Sequence, residues 1–325
     1  MNNCIGCGVE LQTQEINKLG YTKNIENQLC ERCFRIRNYG EYKTVVKTNQ
    51  EFINILKEID KTKKLVVLVI DIFNLNQNLD IIKENITNDI LLVITKRDLL
   101  PKSIKDEKLL NYIDKYNLNA LDRIVISSTK NYNLDELYEL INKYKNGKDV
   151  YVIGYTNAGK STLINKIIYN YSETTEQITT SILPSTTLNK IKIKINDDLN
   201  IIDTPGILIE KSFYDILNGK ELKRVIPKKE IKPISYQIKQ KQYIVIDKYG
   251  IIETENMNII IYMSNQLNIK RFYKKIDTNL EKRSLEIDNE DIVINGLGFI
   301  KCVGKGQINL YTYKNINVYT RKTLI

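Results

Sequence analysis

Apolar positions along this chain fall into two regimes that change near residue 211. Up to that point they come in short runs: Leu65–Ile70, Ile90–Ile94, Ile124–Ile126, Val150–Ile153 and, interrupted by one asparagine, Leu199–Ile202. Runs of this length, closed by polar or acidic residues, are what strands buried on both faces of a parallel sheet require. Leu163, Ile164, Ile167 and Ile168 follow helical spacing instead, so the strand at 150–153 leads through a short loop into a helix. Beyond residue 211 the pattern reads as alternating strands, for example at 242–246, 258–262 and 308–311, with glycine-marked turns near 250 and 296–306. The pattern predicts an α/β domain followed by a strand-rich α+β domain.

The loop between that strand and helix reads Gly154, Tyr155, Thr156, Asn157, Ala158, Gly159, Lys160, Ser161, Thr162. This is G-x-x-x-x-G-K-[ST] in the strand–loop–helix setting that a phosphate-binding loop needs. Backbone N–H groups of 155–160 and the positive end of the helix are expected to wrap a β-phosphate. Lys160 would bridge β- and γ-phosphates, and Ser161 would ligate Mg²⁺. Asp203, opening Asp203-Thr-Pro-Gly206 at a strand end, is placed to hold the magnesium shell, and the Gly206 N–H to meet the γ-phosphate. Pro184-Ser-Thr-Thr187, in a Ser/Thr-rich stretch, reads as a switch whose Thr187 would complete that shell; a plain polar loop is the alternative.

Upstream, the strand at 90–94 ends in Thr95, Lys96, Arg97 and Asp98, and the strand at 124–126 ends in Ser127 and Ser128. A carboxylate at Asp98 can accept from N1–H and the 2-amino group of guanine, donors that adenine does not present, and unmatched buried polar groups exclude the wrong base. Lys96 would lay its alkyl stem along the base, and backbone N–H groups after Ser127 and Ser128 would meet the guanine carbonyl oxygen. The order is base loop, serine loop, phosphate loop, switch, then Asp203–Gly206. It is the order of a P-loop GTPase domain whose ends have been joined and reopened elsewhere.

Four of the 5 cysteines stand as Cys4-x-x-Cys7 and Cys30-x-x-Cys33. Two such knuckles can supply four thiolates to one tetrahedral zinc ion, and a segment this small would depend on the metal to fold. With His 0, any metal site here must be built from thiolates and carboxylates. Cys302, alone in a strand-like segment, reads as a packed thiol. The formal charge is +10, and after residue 211 there are 20 Lys and Arg against 12 Asp and Glu, a surplus of 8. That asymmetry suggests a polyanionic partner, with a solvated basic surface as the alternative. Within it, Lys270-Arg-Phe-Tyr-Lys-Lys275 interleaves cations and aromatics in the manner of single-stranded RNA binding, although aromatics in such domains are more often core. No apolar run approaches the roughly twenty residues of a membrane span, and the start of the chain lacks a secretory pattern, so a cytoplasmic address is expected.

The stretches CIGCGVELQTQ, LGYTKN, CERCFRIRNYGEY, TKRDLLPKS, GYTNAGKSTLIN, PSTTL and DTPGI together resemble the YqeH family of circularly permuted GTPases. That family includes organellar relatives once described as nitric-oxide-associated proteins. The likeness covers roughly residues 1–210, and beyond them rests on NGLGFIKCVGKG. It implies a Cys4 zinc module at 1–45, a permuted GTPase domain at 46–211 with a parallel sheet flanked by helices, and a basic domain at 212–325. It also implies GTP, GDP, Mg²⁺ and Zn²⁺ as ligands, and a role in assembling the small ribosomal subunit through contacts with rRNA, pre-ribosomal particles and ribosomal proteins. Two positions depart from the family pattern: Thr95, where many members carry asparagine, weakens the expected tether between base loop and phosphate loop, and Ser185 replaces a glycine. Ile207 stands where other GTPases carry a water-orienting glutamine. The missing catalytic group must therefore come from elsewhere: a loop rearrangement, the ribosome or a bound cation. A K⁺ ion at Asn157, acting beside Lys160 and Gly206, is the favoured source, with Asn157 as a mere loop cap as the alternative. A P-loop ATPase or kinase, and a non-hydrolysing nucleotide-gated RNA-binding module, are the rival readings.

Overall fold

The computed structural model describes residues 3–4, 9–16, 20–31, 33–34, 46–47, 49–75, 79–172, 180–182, 190–207, 209–217 and 219–325. Its residues divide into two compact units, one formed by 1–97 and 113–208, the other by 98–112 and 209–325.

The first unit holds a seven-stranded sheet in the order β4-β3-β2-β5-β8-β7-β6. Its strands are β2 (Val66–Asp71), β3 (Ile90–Thr95), β4 (Ala120–Val125), β5 (Asp149–Gly154), β6 (Thr180–Ile182), β7 (Ile191–Asn196) and β8 (Leu199–Asp203). A two-residue strand β1 (Val46–Lys47) lies outside it, parallel to β9 (Gly206–Ile207). From β4 to β8 every pairing is parallel. Every residue of β2 and β3 is buried, which accounts for their unbroken apolar runs. The sheet departs from an all-parallel one at one edge, where β7 and β6 run antiparallel. A two-residue turn, Asp197-Asp198, joins β7 to β8, and a connection that short permits only an antiparallel pair.

Helices α1 (Asn49–Asp60), α2 (Leu79–Asn85), α4 (Leu134–Tyr144) and α5 (Lys160–Tyr171) belong to this unit. β2 and β5 are neighbours, yet the chain leaves β2 towards β3 and β4, and leaves β5 towards β8. Progression thus reverses between them, and the carboxyl ends of strands at such a reversal are where open parallel sheets bind ligands. β2 ends in Asp71 and β5 in Gly154.

The second unit contains two five-stranded antiparallel sheets. One comprises β10 (Ile234–Ile238), β13 (Met257–Met263), β16 (Glu290–Ile294), β17 (Gly298–Val303) and β19 (Val318–Lys322). The other comprises β11 (Gln242–Ile246), β12 (Gly250–Thr254), β14 (Ile269–Phe272), β15 (Glu281–Asp288) and β18 (Lys305–Thr312). Ile259, Ile261, Ile292 and Ile300 from the first sheet share one core with Ile244, Ile252, Ile308 and Leu310 from the second. Short helices α6 (Phe213–Ile216) and α7 (Gly219–Val225) contribute Phe213 and Val225 to the same core. α6 starts on a capping box in which the Ser212 hydroxyl accepts from the Tyr214 N–H, and Asp215 accepts from the Ser212 N–H at 2.8 Å.

The segment 98–112, which includes the first seven residues of α3 (Asp106–Asp114), belongs to this second unit, a placement that chain order alone does not anticipate. Hydrogen bonds explain it. The Ile231 N–H donates to the Leu99 carbonyl at 2.9 Å, and the Lys102 N–H to Glu230 at 3.3 Å. The Arg321 guanidinium lies 5.8 Å from the Tyr112 ring centroid and 4.8 Å from that of Phe299, and its Nε is 3.3 Å from the buried Asp291 carboxylate. Burial raises the Asp291 pKa, while Arg321, the Leu324 N–H and Lys301 oppose that rise. Cys302 is fully buried in the shared core, and desolvation pushes its thiol pKa up to about 12, which fits a packed thiol.

Candidate functional site

In the phosphate loop, Asn157 and Gly159 both take positive φ, 62° and 88°. Gly159 then caps α5, whose first residue is Lys160. Left-handed residues alternating with ordinary ones turn successive N–H groups towards one side, which is the basis of an anion-binding concavity. Gly154 is required by packing: a Cβ there would overlap the Val69 carbonyl of β2. The loop is braced by its own Ala158 N–H, 3.2 Å from the Tyr155 carbonyl. Tyr155 is buried, its hydroxyl has no partner among the described residues, and burial raises its pKa. Asn157 and Thr162 present exposed side chains, and Ser161 is half-buried.

The Asp203–Gly206 segment runs beside this loop. The Thr156 N–H donates to the Ile207 carbonyl at 2.7 Å, Tyr155 bridges to Ile207, and a Cβ on Gly206 would come within 3.3 Å of Thr156. Thr204 fixes the segment through its hydroxyl, which donates to the Val152 carbonyl at 3.0 Å. Lys160 is buried, with its ammonium 2.8 Å from Asp203 and also bonded to the Thr204 carbonyl. The lysine and aspartate predicted to share a phosphate and its metal therefore face each other directly. Ile207 is buried in β9, and its alkyl side chain has no hydrogen-bonding group with which to orient water.

Base-loop residues Thr95, Lys96 and Arg97 and the serine loop meet the same unit. The Arg97 N–H donates to the Ile126 carbonyl at 3.1 Å, and the Ile126 N–H to Ile94 at 2.8 Å. Ser127 is 3.1 Å from the Thr129 hydroxyl, while the buried Ser128 hydroxyl has no partner among the described residues. An unsatisfied buried hydroxyl beside a strand end is a polar group that a ligand can complete. Thr95 corrects an expectation: far from loosening the two loops, its hydroxyl donates to the Ala158 carbonyl at 2.5 Å, and its side chain packs 3.5 Å from where a Gly159 Cβ would stand. A threonine at the buried end of β3 is short enough to reach that carbonyl directly. Asp98 lies in the 3-10 turn Arg97–Leu99 and is half-buried within the second unit.

Sequence reasoning missed Asp71. Its carboxylate is fully buried, accepts from the Phe73 N–H at 2.8 Å and, at both oxygens, from the Asn74 side-chain amide, and pairs with Lys96 at 3.2 Å. The signal was present, because an acid closing the longest apolar run is the same pattern that flagged Asp203.

At the N-terminus the Sγ atoms of Cys4, Cys30 and Cys33 lie within 4.8 Å of one another, all three residues buried. The Cys30 N–H donates to the Cys4 sulfur at 3.2 Å and the Cys33 N–H to the Cys30 sulfur at 3.4 Å, bonds that favour thiolate. Three convergent soft donors form a set that a metal of zinc's preference fits. Cys7 and residues 184–187, Thr187 included, lie outside the described residues.

A parallel sheet carrying a phosphate loop after its base loop defines a circularly permuted P-loop GTPase. The RsgA GTPase model matches residues 35–210, the whole of this rearranged order, and a model described as a 50S ribosome-binding GTPase matches 149–295. The chain is 35% identical to the protein YqeH of Bacillus subtilis, with 99% of each chain covered. It is 26% identical to an Arabidopsis thaliana chloroplast GTP-binding protein, brassinazole insensitive pale green 2, over 91% of this chain and 56% of that one. It is also 26% identical to the Arabidopsis NO-associated protein 1, over 72% of this chain and 48% of the relative, so it spans about half the length of these plant proteins. The chain belongs to the YqeH family of circularly permuted GTPases, enzymes that use GTP and Mg²⁺.

Thr95→Val removes the hydroxyl tether while keeping the side chain's shape. We expect GDP affinity to fall about three- to tenfold, in line with one lost hydrogen bond of about 1 kcal/mol, and Thr95→Ser to restore it. Titration with a fluorescent GDP analogue checks this, and unchanged affinity in the valine variant would remove the tether from the binding argument.

Proposed function

We propose that this GTPase assists assembly of the small ribosomal subunit in the cytoplasm, contacting rRNA or a pre-ribosomal particle, together with ribosomal proteins. The observation that carries the reading lies on β14, an edge strand, and the residues after it. Phe272 and Tyr273 are 40% and 62% exposed among Lys270, Arg271, Lys274 and Lys275. These aromatics are not core, so their faces are available for stacking on unpaired bases while the cations meet phosphates. Arg271 also lies 4.7 Å from the Tyr236 ring centroid, which orders part of the surface. The description of one matching family as 50S ribosome-binding supports the ribosome as partner but names the large subunit, so the choice of the small subunit rests on the family resemblance.

At the nucleotide, Lys160 and the loop 154–162 hold the phosphates. Ser161, Asp203 and Thr187 hold Mg²⁺, and Asp98, Lys96, Thr95, Ser127 and Ser128 frame guanine. Gly206 senses the γ-phosphate through its N–H. Ile207 supplies no water-orienting group, and a K⁺ ion beside the exposed Asn157 provides the missing catalytic assistance by neutralising charge on the phosphates in the transition state. Zn²⁺ sits among Cys4, Cys7, Cys30 and Cys33, shaping the N-terminal module that shares in the ribosomal contact.

Asp98→Asn reverses a donor–acceptor match, so GTP affinity is expected to fall at least a hundredfold while xanthosine triphosphate gains; retained GTP preference would exclude the base-reading role. Phosphate release is expected to rise several-fold when Na⁺ is replaced by K⁺ and to vanish in Lys160→Ala, and equal rates in the two salts would eliminate the cation at Asn157. The protein is expected to carry one zinc per chain and to co-sediment with small subunits in a non-hydrolysable GTP analogue more than in GDP. That association should weaken steeply with salt and disappear in Cys30→Ser. Binding to large subunits alone, or indifference to nucleotide, would refute the assignment.

A further inference from the structure

We propose that Asp71 is a specificity-determining positioning residue of the nucleotide site, holding Lys96 in the conformer whose alkyl stem forms the platform for the guanine ring. The inference rests on the proposed base-binding role of Lys96 and Asp98 and extends it to a turn, Asp71-Ile-Phe-Asn74, that no motif includes.

Asp71 ends β2 at the reversal point of the sheet and stands opposite Thr95 in the β2–β3 register, one residue from Lys96. Its carboxylate is fixed by its own turn before any lysine arrives. Oδ1 accepts from the Phe73 N–H at 2.8 Å and the Asn74 N–H at 3.2 Å, and the Asn74 side-chain amide lies 3.1 Å from Oδ1 and 3.0 Å from Oδ2. Oδ2 remains directed at the Lys96 ammonium, 3.2 Å away. That ammonium is also 6.0 Å from the Phe73 ring centroid.

Lys96 is in the left-handed region, φ 65°, and its side chain is 24% exposed. A free lysine samples many rotamers and loses that rotamer entropy when it is ordered. Anchored at its far end to a rigid buried carboxylate, the stem is ordered before a nucleotide arrives, so binding does not carry that cost. The plainer explanation is that a buried acid needs a countercharge. The turn already supplies three donors to the carboxylate, and a buried ion pair is often no more stable than apolar residues of the same volume. A lysine drawn from the base loop, with part of its stem exposed, is better explained by what the stem supports.

A double-mutant cycle on the full chain separates the two. Affinities for GDP and ADP are measured for wild type, Asp71→Asn, Lys96→Ala and the pair, with thermal midpoints recorded in parallel. Each single change is expected to weaken GDP binding about tenfold or more, and the double variant to be no more than about twofold weaker than Lys96→Ala, since coupled residues are non-additive. Asn74→Ala, which loosens the carboxylate without altering charge, should give a smaller loss that also vanishes in the Lys96→Ala background, and it serves if Asp71→Asn does not fold. Multiplicative losses, or a Lys96→Ala variant that binds GDP normally, would overturn the proposal. A wild-type protein that binds ADP as well as GDP would instead undo the guanine reading on which it stands.

Discussion

Lys160 and Asp203 form an ion pair almost wholly removed from water, and much of the first unit is arranged to hold the two ends of that pair in place. Taking two charges out of solvent is expensive, and leaving one of them alone costs about 3–5 kcal/mol. The lysine can stay buried only if α5 starts where it does, which depends on the positive φ at Gly159. The aspartate can stay buried only if β8 pairs with β5 in its observed register, Val152 against Asp203. Phosphates and Mg²⁺ offer these charges new partners of opposite sign, so the pair is one that a nucleotide can exchange without leaving either charge unmatched.

Permutation leaves this arrangement intact because the sheet order decides what meets at the strand ends. β3, β2, β5 and β8 are adjacent across the sheet whichever way the chain visits them. The bond from Thr95 to Ala158 spans 63 residues in sequence and crosses one intervening strand, β2, in space. What permutation does change is the exit. The chain leaves β9 directly into the second unit, and the segment following Lys96 and Arg97 is bonded to that unit through Leu99 and Lys102. Two of the three chain crossings, at 97/98 and 208/209, therefore follow directly on elements of the nucleotide site.

Much of this was legible in the residues. Buried strands such as β2 and β3 announce themselves by unbroken apolar runs, and the loop before α5 by glycines that its backbone needs. The antiparallel edge was not read, since β7 alternates buried and exposed positions and signals only half-burial. Nor could the placement of 98–112 be read, because it depends on hydrogen bonds and a ring contact to segments far away in sequence, which no local pattern encodes. Thr95 was judged by its departure from asparagine, whereas reach to the Ala158 carbonyl decides its role. The exposed Phe272 and Tyr273 could not be told from core residues by type alone.

Ile207 bears most directly on how such a site turns over. Its side chain is buried, and its backbone pairs with β1 and accepts from the Thr156 N–H, so it is structural material for the phosphate loop. A glutamine there would have to break that packing to reach a water. The group that orients the nucleophile must then come from another side chain, a bound cation or a partner, and a site that lacks it turns over slowly until that group arrives. Hydrolysis tied to a group that arrives from outside reports that the group is present, so the site can act once per arrival instead of continuously.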